Sequence, residues 1–183
     1  MKSVVTAPEV NRGSRLYLRK LSVCDAQDHY LEWLNDTDVQ KFTRRRGRQS
    51  TFEDLKNFLR NAEAGNDYHL AVCILGSDKH IGNISLNSID QLNRNAEVSI
   101  MMGDKTEWGK GYGAEAVQIL TDFAFSQLKF NRLWAESPNP AFNALIQKCG
   151  WKKEGLRRKA FFTNNEFVDS ECWSLLYDET LTK

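Results

Sequence analysis

Apolar and polar residues alternate from Arg15 to Leu21, with Leu16 and Leu18 opposed to Arg15, Tyr17 and Arg19, and this period of two predicts a first strand. The period then lengthens to that of a helix. Tyr30, Leu31, Trp33 and Leu34 share one face after a Ser22–Asp25 capping box, and Phe52, Leu55, Phe58, Leu59 and Ala62 share another after a Thr51–Asp54 box, until Gly65 stops it. From His69 the alternation returns: HLAVCIL, the turn GSDK, HIGNISLN, a loop SIDQLNRN and AEVSIMM predict a meander of three strands. A helix follows from Ala114 to about Leu128. Its face of Val117, Leu120, Ala124 and Leu128 is widened by Ile119 and Phe123, so it should lie against a sheet. Arg132 to Glu136 reads as a short strand, Asn139 and Pro140 open a helix that Gly150 ends, and WKKEG and FVDSECWSLLY read as the last strands. Met1 to Gly13 has no periodicity, so residues 1–14 are expected to be a flexible arm and 15–183 a single domain.

Composition narrows the function classes. With 25 basic against 24 acidic residues there is no global field for nucleic acid or an anionic membrane, so any electrostatic preference must be local. Cys24, Cys73, Cys149 and Cys172 are scattered, without a CxxC pair or a ligand-spaced histidine, which argues against a disulfide framework and a metal site. No signal peptide or membrane span is readable, and a reducing cytoplasm is the expected home.

The candidate chemistry begins at Glu107 to Ala116, EWGKGYGAEA, where Gly109, Gly111 and Gly113 alternate with Lys110 and Tyr112 just before a helix. Glycines allow positive φ and close backbone approach, and a helix start adds unpaired N–H groups and the positive dipole end, so the stretch predicts an anion cradle. A dinucleotide is one possible ligand, because Gly109, Gly111 and Ala114 meet its glycine spacing and Glu136 lies roughly twenty residues on. Against it, the loop GDKTEW separates the preceding strand from Gly109. A nucleoside-triphosphate loop fails because glycine follows Lys110 where Ser or Thr is required.

Three stretches in order, the strand AEVSIMM, the loop WGKGYGAEA and the helix NPAFNALIQKCGW, resemble the GNAT superfamily of acetyl-CoA-dependent N-acetyltransferases over nearly the whole chain. The opening LRKLSVCDAQDHYLEWLND is similar to the Rim-type branch, whose members acetylate N-termini of ribosomal proteins. The resemblance implies an α/β (α+β) fold: a mixed, mostly antiparallel, twisted sheet of about six to seven strands, helices on both faces, and a splayed acetyl-CoA cleft. It also implies that the backbone from Trp108 to Ala114 (Trp108, Gly109, Lys110, Gly111, Tyr112, Gly113, Ala114) holds the pyrophosphate. The backbone of Ile100, Met101 and Met102 would pair with the pantetheine arm, and Met101 or Met102 would offer an oxyanion N–H.

A protonated amine must lose its proton before attack, and Glu97, on one strand face with Ser99 and Met101, is the candidate base. The competing reading is a carboxylate paired with a neighbouring Arg or capping a loop. No general acid is evident, since Ile146 stands where the family often has Tyr. Asn139 is expected to contact the cofactor or tie down the splayed strand, and Asn143 either reaches CoA or is an exposed helix residue. Arg44, Arg45, Arg46 and Arg48 fall where the Rim-type branch builds its acceptor pocket; they are either a solvated loop or a grip on an anionic acceptor. Three functions stay open. The first is an acetyl-CoA-dependent N-acetyltransferase acting on a small-molecule or peptide amine, a protein N-terminus or an amino-sugar nucleotide of surface-polysaccharide synthesis, as monomer or homodimer without metal, nucleic acid or membrane. The second is a nicotinamide-dependent enzyme, and the third a non-catalytic CoA-binding module.

Overall fold

The computed structural model describes residues 9–181 other than Asp28 and Asn66. Eight strands form one sheet in the order β1-β2-β3-β4-β5-β6-β8-β7. They are β1 (Glu9–Arg12), β2 (Leu16–Lys20), β3 (Tyr68–Ile74), β4 (His80–Asp90), β5 (Asn95–Met102), β6 (Arg132–Ser137), β7 (Lys152–Thr163) and β8 (Glu166–Leu176). The helices are α1 (Tyr30–Asn35), α2 (Thr37–Gln40), α3 (Phe52–Ala64), α4 (Tyr112–Ser126), α5 (Pro140–Lys148) and α6 (Tyr177–Thr180).

Strand alternation divides the core into two layers. Leu16, Leu18, Leu70, Val72, Ile84 and Leu86 point to one face, where the apolar side of α4 covers them. Tyr17, Ala71 and Cys73 point to the other and meet Tyr30, Trp33, Leu55 and Leu59 from α1 and α3. On that second face Arg19 is buried, and its guanidinium is answered by Asp25 through two bonds of 3.0 and 2.5 Å. Asp25 thus serves Arg19 as well as the backbone N–H of Ser22, 2.7 Å away, that the capping box assigned to it. His80 lies beside the pair, Nδ1 3.9 Å from Asp25, with burial pushing its imidazole below the ordinary histidine range.

All neighbouring strands pair antiparallel except β5 and β6, which run parallel with α4 as the crossover. That parallel seam is three residues long: Asn95, Ala96 and Glu97 face Arg132, Leu133 and Trp134, and from Val98 onward no strand among the described residues pairs with β5 on this side.

Several boundaries differ from the pattern in the sequence. Residues 9–12 of the expected arm are an edge strand on β2, which a short stretch covered on one side cannot signal by periodicity; residues 1–8 lie outside the described residues. The stretch SIDQLNRN is loop only at 91–94, because β4 continues through a bulge where Ser88 takes φ +50°. β7 runs to Thr163 rather than stopping at Gly155, and it is exposed almost throughout, so no buried face marks it. Among the described residues the sheet therefore has eight strands, one or two more than expected.

Candidate active site

Gly109 and Gly111 adopt φ of +76° and +82°, the left-handed region glycine enters without a Cβ penalty. α4 starts at Tyr112, two residues before the sequence pattern suggested, with Gly111 at its N-cap and no side chain capping it. The first-turn N–H groups of Tyr112, Gly113 and Ala114 are left as donors at the positive end of a 15-residue helix. A Cβ on Gly109 would meet nothing within 4 Å, so the loop is open there. Gly113 has another reason to be glycine: a Cβ would lie 2.8 Å from Leu145 Cδ1, so its smallness lets α4 pack on α5.

Sequence reasoning missed the residue that fixes this loop. Arg15, just before β2, donates Nη1 to the Lys110 carbonyl (2.9 Å) and Nε to Glu115 (2.7 Å), and its guanidinium sits 4.7 Å over the Tyr112 ring. Glu115 also accepts the backbone N–H groups of Arg15 and Leu16. Burial would raise its carboxyl, but these bonds from Arg15 and Leu16 outweigh burial and hold it below the usual carboxylate range. Only a separation of 100 positions hid this pair. Lys110 bonds Glu107 at 2.7 Å.

The unpaired edge of β5 leads into the loop. Gly103 N–H bonds the Ile81 carbonyl, so in the antiparallel ladder Met101 exchanges bonds with Asn83 while Ile100 and Met102 turn their N–H and C=O away from β4. The Met102 carbonyl is accordingly met on that outer side by Trp108 Nε1, 2.9 Å away. Met101 is thereby corrected as an oxyanion or arm-pairing candidate, because its N–H is committed to the ladder; the outward donors are Ile100 and Met102.

Glu97 sits where the seam ends. Its side chain is 15% exposed, 3.9 Å from Arg44 Nη2, and accepts the Ser88 hydroxyl at 3.4 Å. On the same uncovered face, Asn87 bonds Ser85 (3.0 Å) and Ser99 (2.6 Å), giving a polar floor beside the open edge. Asn139 caps α5 by accepting the Ala141 N–H at 3.0 Å. Asn143 is not an exposed helix residue: Nδ2 bonds the Ser137 carbonyl at 3.3 Å, and Oδ1 is buried without a hydrogen-bond partner. Ile146 is fully buried in the core, so no hydroxyl stands at that position.

The four arginines do not form one set. Arg45 bonds the Ser50 hydroxyl at 3.0 Å, whereas Arg44, Arg46 and Arg48 line a cleft against the turn joining β7 to β8. Arg46 lies 3.6 Å over the Phe161 ring and bonds the carbonyls of Phe162 and Thr43.

An uncapped helix start, two left-handed glycines and an unpaired strand edge suit a pyrophosphate and an amide-bearing arm, so these residues fit CoA. Residues 15–152 match the acetyltransferase (GNAT) domain family. The chain is 32% identical over 174 residues, 90% of its length and 94% of the relative's, to the uncharacterized N-acetyltransferase p20 of Bacillus licheniformis. It is 28% identical over 107 residues, 57% of its length and 59% of the relative's, to the ribosomal-protein-serine acetyltransferase of Escherichia coli. Its fold superposes with a TM-score of 0.83, at 22% identity over 92% of this chain and 99% of the other, on the spermidine N-acetyltransferase from Vibrio cholerae in complex with CoA and spermine. The match across residues 15–152 and the full-length likeness to p20 together mean that this chain belongs to the GNAT acetyltransferases.

Proposed function

We propose that the protein transfers an acetyl group from acetyl-CoA to a primary amine by direct attack on the thioester. The observation that carries this reading is the continuity of the free β5 edge with the uncapped N-terminus of α4. When bound, acetyl-CoA supplies an acetyl group activated as a thioester. The loop N–H groups and the helix dipole hold its pyrophosphate, Met102, nearest the loop, pairs with its arm, and the Ile100 N–H, nearer Glu97, faces the thioester oxygen. Glu97 takes the amine's proton directly or through a water. With Ile146 in the core, this chain offers no hydroxyl there for the leaving sulfur; a thiol with a pKa of about 8.5 departs tolerably as thiolate near neutral pH. Glu97 at the open floor, and not the buried helix face around Ile146, is therefore where the acceptor is expected.

Acetyl-CoA should raise the melting temperature. At a hundredfold excess over Kd a ligand selective for the native state adds about 2.7 kcal/mol, and at about 2–4 °C per kcal/mol that is roughly 5–10 °C. NAD should leave it unchanged. A shift with NAD and none with acetyl-CoA would sink the reading. Thiol release with acetyl-CoA and a panel of amines then separates an enzyme from a domain that only binds CoA.

A further inference from the structure

Resting on that acetyl-transfer reading, we infer that the acceptor is a small phosphate-bearing amine. Its phosphate is held in the cleft between the 41–50 loop and the turn joining β7 to β8. The cleft measures about 910 Å³ and is built from two segments more than a hundred positions apart. They are joined by the Arg46 bond to the Phe162 carbonyl, by Arg46 stacking on Phe161, and by the Thr163 hydroxyl on the Lys41 carbonyl at 3.2 Å. The wall is therefore pinned at Arg46 and Thr163, while Arg44, 85% exposed, and Arg48 project from it into solvent.

Its charge is not balanced from within. Among the described residues, Lys41, Arg46 and Arg48 have no carboxylate within ion-pair distance, and Arg44 has Glu97 at 3.9 Å. Asp38, the acidic residue lining the cleft, is committed to Lys105 at 3.0 Å. Arg46 is held by carbonyl oxygens and a ring, which position the guanidinium without cancelling its charge. Several cations converging on one concavity suit a dianion, and guanidinium forks bind phosphate oxygens in pairs. Opposite them, Asn164 and Asn165 form the two-residue turn, both with positive φ, and add amide groups for the rest of the ligand.

One residue links the cleft to the candidate base. Arg44 lines the cleft and reaches Glu97, so a phosphate bound there carries its amine toward the candidate base and the free edge of β5. A polyamine would enter against the same field.

The test separates the cleft from turnover. Uridine diphosphate is titrated calorimetrically into the full chain held at saturating CoA, so that the glycine loop is filled. It should bind, and both the R44Q/R48Q variant and roughly 0.5 M KCl, where the Debye length is about 4 Å, should weaken it about tenfold or more. CoA affinity should stay unchanged. In thiol release, glucosamine 6-phosphate should exceed glucosamine in kcat/KM by about tenfold, an advantage of about 1.4 kcal/mol that R44Q/R48Q abolishes. No heat with uridine diphosphate, equal binding by the variant, or a preference for spermidine or an acidic peptide each overturns the inference. Uridine diphosphate binding with no thiol release for any amine overturns the acetyl-transfer reading and the acceptor role with it.

Discussion

Gly111→Asp should abolish acetyl-CoA binding while leaving the fold intact. Gly111 is the N-cap of α4 at φ +82°, where a side chain costs about 1–2 kcal/mol, so the melting temperature should fall by a few degrees while the circular dichroism spectrum is retained. Its Cβ would stand 3.5 Å from Arg15 Nη2, so the new carboxylate would bring a negative charge to the rim of the cradle that the pyrophosphate approaches. Two charges 4 Å apart at an effective dielectric of 20 repel by about 4 kcal/mol, close to three powers of ten in affinity. Calorimetry with acetyl-CoA reads this directly, and retained affinity would mean the pyrophosphate lies elsewhere. Gly113→Asp is a poorer test, since its Cβ would press on Leu145 and confound binding with packing.

Glu97→Gln should lower kcat by about 10²–10⁴ at neutral pH without changing acetyl-CoA affinity, as removal of a general base does. The defect should shrink as pH rises toward the amine's pKa of about 10, where the acceptor arrives already neutral. Arg44 complicates the reading, because glutamine also loses its partner at 3.9 Å. Arg44→Gln alone resolves this: an effect of that variant on kcat equal to that of Glu97→Gln would make the ion pair, and not proton removal, the function of Glu97. A Glu97→Gln enzyme matching wild type from neutral to alkaline pH would move the base to another group.

The parts legible in advance were those written in local periodicity. α3 and its Thr51–Asp54 box, the β3–β5 meander, α4 and the glycine loop each carry their signal within a few residues. Only the start of β7, at WKKEG, was legible, because an edge strand wet along nearly its whole length has no apolar side to alternate with. Arg15 was hidden for another reason: its importance depends on Glu115 and Lys110, which the fold brings to it from far along the chain. The same holds for Met101 and Met102. Adjacent residues of one strand differ in which way their amides point, and only the register with Asn83 and Gly82 tells them apart. The arginine run looked uniform as a string, yet Arg45 turns to Ser50 while Arg46 is fastened to the β7–β8 tip.

The three-residue seam between β5 and β6 has a consequence for amide hydrogen exchange. Beyond Glu97, neighbouring amides of one strand should trade their protons with solvent at alternating rates. Ser99 and Met101, bonded into β4, should be slow, and Ile100 and Met102, facing the gap, should be fast although they flank the slow ones. Acetyl-CoA should slow Met102 and Ile100, turning a zigzag of protection into a uniformly protected strand. A flat profile in the free protein would mean that the gap closes on its own in solution, and that the ligand must first open what this structure holds apart.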